Sequence, residues 1–201
     1  MKRAKEPASL GFESHSGWAV LVAVGGSRRE PAVVLRERVV LVAAGPGDGR
    51  AKQPFHAAEA MPFPRARAFL EAAADDVGRR ARSEMDRLLA ALSARGFEPV
   101  SCAILSASSR ELPDLEAILA SHALIHAAEG DFFRDAIAKA AKASGLAVTR
   151  IRRKELADYA SQAIGLPAAE LERRVALFRK SVGAPWGSDQ KLAALAAWSV
   201  L

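Results

Sequence analysis

Hydrophobic positions in the first part of the chain follow the pattern of β-strands. The apolar run at residues 17–26 ends in Gly-Gly, and residues 31–44 are dense in valine, which favours strands. A shorter apolar piece at residues 10–12 precedes a turn-like Glu-Ser-His-Ser-Gly cluster. The pattern predicts a tightly connected meander of three strands, followed by a glycine-rich loop at residues 45–54.

The spacing of apolar residues then lengthens to three and four positions. This period predicts an amphipathic helix over residues 64–95, which Gly96 ends. The apolar run at residues 100–108 is short and predicts a buried strand. A short helix is expected at residues 114–120, opened by a proline.

The rest of the chain alternates between helical and strand patterns. Ser121 is a suitable N-cap for a helix through residue 144, which a glycine closes. Residues 146–151 predict a strand, and residues 166–183 predict an amphipathic helix with a proline near its start. Ser188 is expected to cap a last helix. The order of elements predicts an α/β domain with a meander followed by crossover units.

Composition and charge narrow the class of protein. The chain has 201 residues, half of them hydrophobic, and is long enough for one sizeable domain. A single cysteine, Cys102, cannot form an internal disulfide, which favours a reducing compartment. No apolar stretch predicts a membrane span or a signal peptide, so we expect a cytoplasmic protein without membrane partners. The oligomeric state stays open.

The net charge of +6 favours polyanionic partners such as nucleic acid, although an arginine-rich composition alone has the same effect. Arg150, Arg152, Arg153 and Lys154 form the densest basic run and are the candidate nucleic-acid contacts. A solvated cluster at a strand end is the ordinary alternative for this run.

Gly11-Phe12-Glu13, followed by a glycine turn into the next strand, resembles the start of the ribonuclease H-like superfamily, and within it the RuvC-like nucleases. Residues 129–151 are similar to the middle section of those proteins, and residues 188–198 to their terminal helix rich in alanine and leucine. The resemblance implies a three-layer domain over residues 1–201, with a mixed central sheet flanked by helices. We expect residues 1–8 to form a flexible N-terminus.

The resemblance also implies an acidic site. Glu13, Glu129 and Asp189 would bind Mg²⁺ or Mn²⁺, and His126 would be a proton-transfer partner. Two such ions about 4 Å apart can clamp the attacking and leaving oxygens of a phosphodiester. The motif is degenerate, because Glu13 stands where the family has aspartate and Asp189 is the one acidic residue of the last helix.

Three functions therefore stay open. The first is a RuvC-like, divalent-metal-dependent nuclease acting on nucleic acid phosphodiesters. The second is a non-catalytic ribonuclease H-like domain that needs no cofactor and binds nucleic acid or protein. Each carboxylate also has an ordinary alternative role: Glu13 as a solvated charge at a strand end, Glu129 on the exposed face of its helix, and Asp189 as a charge that favours the helix dipole.

The third is a metal-dependent hydrolase of a small substrate. His122, His126 and Glu129 follow each other at i, i+4 and i+7, so they share one face of the predicted helix. Two imidazoles and a carboxylate could bind zinc and leave a position for water, although a solvated polar stripe has the same spacing. The tetrapeptide His-Ala-Ala-Glu occurs at residues 56–59 and again at residues 126–129. Nothing in the sequence requires the two copies to meet.

Overall fold

A computed structural model describes residues 4–43, 52–107 and 111–201 of the chain. The strands of its sheet are β1 (Glu6–His15), β2 (Trp18–Gly26), β3 (Pro31–Val40), β4 (Phe97–Ser106) and β5 (Ala147–Arg152). They lie in the order β3-β2-β1-β4-β5. The meander β1–β3 is antiparallel, whereas β1, β4 and β5 run parallel. The sheet is therefore mixed, with β1 at its centre.

Helices cover both faces of this sheet. Within the described residues they are α1 (Pro54–Ala58), α2 (Phe63–Ala94), α3 (Leu115–Leu119), α4 (His122–Ala143), α5 (Leu156–Ile164), α6 (Ala168–Leu177), α7 (Arg179–Val182) and α8 (Ser188–Ser199). One 3₁₀ turn, Arg153–Glu155, joins β5 to α5. Gly187, one residue before the predicted Ser188, is the N-cap of α8.

Two cores divide the structure into three layers. On one face, Leu10 and Phe12 of β1 pack with buried residues of α2 and α4, including Met85 and Phe133. On the other face, alternate residues of β2 pack against α5, α6 and α8. This alternation is what a strand buried on both faces requires. The predicted α/β domain with a mixed sheet between helical layers is confirmed.

Some boundaries differ from those that the sequence predicts. β1 begins at Glu6, inside the segment 1–8 expected to be flexible, because its first residues pair with β4. The predicted loop at residues 45–54 lies mostly outside the described residues, and its last residue, Pro54, opens α1. Two helices, α1 and α5, were not predicted. Both depend on packing, since α5 buries Leu156 and Ala160 in the core around α8.

Helix α2 is the longest helix of the described segments, at 32 residues. Its buried residues recur at helical spacing along one side and include Leu70, Val77 and Met85. Among the described helices, none combines the length and the apolar character that a membrane span requires.

A close contact between β1 and α8 places the first turn of α8 beside the end of β1. Ser9 Oγ donates a hydrogen bond to the carbonyl oxygen of Ala197, at 2.6 Å. At Gly11, two residues further along β1, a Cβ atom would lie 2.8 Å from the Ala197 nitrogen. Glycine therefore lets the two backbones touch. The same face of β1 continues to Glu13 and His15. Because α8 runs antiparallel to β1, its N-terminal turn lies beside these two residues.

Candidate functional sites at the carboxyl end of the sheet

Glu13 lies near the carboxyl end of β1 and is 6% exposed. Its Oε1 atom is 3.5 Å from Nη1 of Arg153, while its Oε2 atom is buried and has no hydrogen-bond partner among the described residues. Burial raises the pKa of Glu13, and the positive charge of Arg153 opposes this shift. The nearby charge of Asp189 raises the pKa further. The structure thus brings two of the predicted site carboxylates, Glu13 and Asp189, into electrostatic contact.

Asp189, in the first turn of α8, is paired with a histidine that the sequence did not single out. Its Oδ2 atom lies 2.9 Å from Nε2 of His15. The His15 ring stacks on Trp18, with centroids 4.2 Å apart, and the guanidinium of Arg38 lies 3.9 Å from the centroid of the same indole. The two-residue alternation Ser9, Gly11, Glu13, His15 is the signal that could have placed His15 on the site face.

The neighbouring strand offers no third acidic ligand beside Glu13. Gly11 pairs with Ala103 and Phe12 with Ile104, so Leu105 comes level with Glu13 on β4. Leu105 is buried in the core around α8. An alkyl side chain therefore occupies the place on β4 from which a carboxylate could face Glu13.

The residues at this end of the sheet do not fit a pair of divalent ions. Such a pair needs several converging oxygen ligands. Here the charges of Arg153 and Arg134 act on the Glu13 carboxylate and lower its pKa against the effect of burial, while Asp189 pairs with His15. Within the described segments, the ligand atoms of Glu13, His15 and Asp189 do not form a compact metal-binding group. At this end of the sheet each carboxylate lies beside a basic residue, Glu13 beside Arg153 and Asp189 beside His15.

Glu129, the third predicted carboxylate, is buried on α4 and faces α1. Its Oε2 atom accepts hydrogen bonds from the backbone nitrogens of Phe55 (3.1 Å) and His56 (3.2 Å), and lies 2.9 Å from Nδ1 of His56. Burial raises the pKa of Glu129, and the contacts with His56 and Phe55 oppose this shift. Glu129 lies on α4, whose buried residues pack on the face of the sheet opposite α8, the helix that carries Asp189. Its carboxylate binds the start of α1 instead.

Three histidines meet beside Glu129. His122 and His126 of α4 lie one turn apart with their Nε2 atoms 3.1 Å from each other. His56 of α1 faces both, with ring centroids 5.6 Å from His122 and 4.6 Å from His126. One nitrogen from each ring lies within 4.8 Å of the other two. The predicted set was His122, His126 and Glu129. In the structure the third member of the group is His56, and Glu129 contacts the Nδ1 atom of His56.

The predicted basic run is largely engaged in ion pairs. Arg150 lies 2.5 Å from Asp135 of α4, and Arg152 pairs with Glu155 three residues along. Arg153 turns towards Glu13, with its side chain 51% exposed. Lys154 is exposed. Of the four residues, Arg153 is the one that joins the basic run to the end of β1.

The order and directions of the strands, with helices on both faces, define a ribonuclease H-like fold. The chain is similar to RuvC of Thermus thermophilus in complex with a Holliday junction substrate, at a TM-score of 0.52 and 14% identity over 96% of this chain and 90% of that one. A second Thermus thermophilus RuvC structure matches with a TM-score of 0.50 and 16% identity, covering 96% and 92%. The resemblance inferred from the sequence is thus confirmed for the fold.

No family model matches the chain. No curated protein matches it by sequence either.

Proposed function

We propose that this protein is a RuvC-like nucleic-acid-binding domain that does not cleave its ligand. The observation on which this rests is that both acids at this end of the sheet are paired: Glu13 of β1 with Arg153, and Asp189 of α8 with His15. Such pairs occupy the carboxylates that a metal-dependent nuclease would use. They leave a surface suited to contacts with phosphates rather than to holding metal ions.

The charges around this end of the sheet support binding of a polyanion. The guanidinium groups of Arg153 and Arg134 act on the Glu13 carboxylate, and that of Arg38 stacks on Trp18, which in turn stacks on His15. The chain as a whole carries a net charge of +6. Phosphate contacts supply affinity without reading sequence, and they are lost as salt rises. The similarity to a RuvC structure solved with a Holliday junction substrate suggests a four-way junction as the first ligand to test.

Fluorescence anisotropy with a labelled four-way junction tests the proposal. The duplex and single-strand forms of one arm serve as comparison ligands. We expect binding at low salt, with an affinity that falls steeply as salt is raised. Arg153→Ala should weaken binding to all three ligands and reduce the salt slope by about 1, as the loss of one phosphate contact does.

Arg95→Ala is the matched control, because it removes the same charge at the opposite end of the sheet, where Arg95 follows α2 and precedes β4. It should bind like the natural chain. No binding of any of the three ligands at low salt would refute the proposal, and so would equal loss of affinity in the two variants.

A nuclease is the second candidate function, and the buried Oε2 atom of Glu13 without a hydrogen-bond partner favours it, since a metal ion could fill that role. Incubation of each nucleic acid with Mg²⁺ or Mn²⁺, followed by denaturing electrophoresis, separates the two functions. We expect intact strands. Metal-dependent cleavage that disappears in Glu13→Gln would replace the non-catalytic proposal by a metal-dependent nuclease.

A further inference from the structure

We propose that the three histidines between α1 and α4 bind one transition-metal ion, with Zn²⁺ as the expected metal. His56, His122 and His126 would each give one nitrogen, and a water molecule would take the fourth position. This site is separate from the acids at the end of β1, and it does not depend on nucleic-acid binding.

The ring geometry is already close to that of a metal site. Two nitrogens bound to one tetrahedral Zn²⁺ at about 2.0–2.1 Å lie about 3.3–3.4 Å apart. The Nε2 atoms of His122 and His126 are 3.1 Å from each other. The nitrogen of His56 completes a group whose members all lie within 4.8 Å. Small rotations of the rings would therefore bring all three nitrogens to bonding distance.

Carboxylates lie beside two of the histidines, and one of them is hydrogen-bonded to its ring. Oε2 of Glu129 lies 2.9 Å from Nδ1 of His56, and Oε1 of Glu59 lies 3.5 Å from Nδ1 of His122. The hydrogen bond between His56 and Glu129 holds the proton on Nδ1 of His56 and leaves its Nε2 as the metal ligand, whereas Glu59 is an ion-pair partner of His122. Such partners raise the basicity of the ligand, and their loss weakens metal binding.

The position of Glu129 is itself unusual for a carboxylate without a function. Its side chain is 6% exposed, and its Oε1 atom has no hydrogen-bond partner in the described parts of the chain. A buried carboxylate costs free energy unless its charge is balanced. A divalent ion on His56 would supply a positive charge one ring away and offset that cost.

The ligand set favours zinc over magnesium or calcium. Imidazole nitrogen suits Zn²⁺, Cu²⁺, Ni²⁺ and Co²⁺, whereas Mg²⁺ and Ca²⁺ require oxygen ligands. Three histidines leave one coordination position open, as in catalytic rather than structural zinc sites. His122 and His126 are exposed, so that position is accessible to water and to small ligands.

Titration with Co²⁺ after removal of metals by EDTA tests the site, because tetrahedral Co²⁺ has intense visible absorption bands. We expect one equivalent to bind and Zn²⁺ to displace it. His122→Gln and His126→Gln should lose these bands, and far-UV circular dichroism should remain unchanged because both side chains are exposed. His15→Gln, which changes the remaining histidine of the chain, is the matched control and should retain them.

Glu129→Gln tests the positioning role of the carboxylate. The amide oxygen can still accept the backbone hydrogen bonds of α1, but the negative charge that faces the His56 ring is removed. We expect Zn²⁺ affinity to fall by about 10–100-fold. Long-range ¹⁵N NMR of the His56 ring should show loss of the preference for a proton on Nδ1, a change that a merely structural role of Glu129 would not cause.

The triple variant His56→Gln, His122→Gln, His126→Gln is the reference for adventitious binding. Zn²⁺ or Co²⁺ binding by the natural chain no tighter than by this variant would overturn the proposal. Bands that persist in His126→Gln would overturn it as well. Neither result would affect nucleic-acid binding, so failure of the metal site and failure of the proposed function are distinguishable.

Discussion

Gly11→Ala adds one methyl group at the contact between β1 and α8. Its Cβ would lie 2.8 Å from the nitrogen of Ala197, 2.9 Å from the carbonyl carbon of Ala193, and closer still to the Ala193 oxygen. All three atoms belong to the helix backbone, so no side chain can turn away. Because ordinary contact begins at 3.4 Å, the Ala197 nitrogen alone requires α8 to retreat from β1 by ~0.6 Å, and the closer Ala193 oxygen requires a larger movement.

The cost of this retreat follows from what α8 contacts. Overpacking a close-packed site costs about 1–3 kcal/mol, and a rigid backbone contact belongs at the upper end of that range. The movement also stretches the hydrogen bond from Ser9 Oγ to the Ala197 oxygen, a loss of about 1 kcal/mol. We therefore expect Gly11→Ala to lower the free energy of unfolding by about 3–4 kcal/mol, a large share of the ~5–15 kcal/mol typical of a domain.

Urea unfolding followed by far-UV circular dichroism measures the difference. With a slope of about 1–3 kcal/mol per molar urea, the midpoint should fall by more than about 1 M. Gly78→Ala is the matched control, because Gly78 lies within α2 and a Cβ there would have no atom within 4 Å. Alanine should stabilise that helix by about 0.5–1 kcal/mol. Equal midpoints for the two variants would refute the proposed backbone contact.

Two further predictions follow from buried ionisable groups. The folded chain binds the proton of Glu13 more tightly than the unfolded chain does, because burial raises the pKa of this carboxyl, so its contribution to stability is present below the ordinary glutamate pKa of about 4.3 and is lost as pH rises through the raised pKa. Thermal unfolding should therefore show Glu13→Gln gaining stability relative to the natural chain between pH 4 and pH 8; parallel curves would contradict this. Burial raises the pKa of the Cys102 thiol to about 12, so iodoacetamide at pH 8 should label Cys102 in unfolding urea but not in the native protein, as measured by mass spectrometry. Rapid native labelling would place Cys102 outside the core.

The strands and long helices could be predicted because their signals are local. The valine-rich runs of β2 and β3 and the three- and four-residue spacing in α2 each lie within one segment. Helix α1 has no such signal. Its five residues form where Glu129, more than 70 positions away, accepts the backbone hydrogen bonds of its first turn. Tertiary contact, rather than propensity, makes this helix.

The candidate sites could be predicted only where a resemblance or a local spacing pointed to their residues. Glu13 and Asp189 were found through a resemblance that already contains the docking of α8 on β1. His15 was missed because its partner Asp189 is 174 positions away and the turn-like cluster around it gave no sign of a base. The spacing on α4 correctly grouped His122 with His126. Which residue would complete that group depended on how α1 packs, and this is not encoded in any spacing.

The docking of α8 on β1 joins residues that are 188 positions apart, at Ser9 and Ala197. During synthesis, β1 and β2 emerge from the ribosome long before the helix that covers one of their faces. Valine residues of that face, including Val20 and Val22, then remain uncovered in any partly made chain. Contacts of such long range also slow folding. The end of β1 where Asp189 meets His15 is thus assembled late, and nascent chains are expected to depend on chaperones until residue 199 is available.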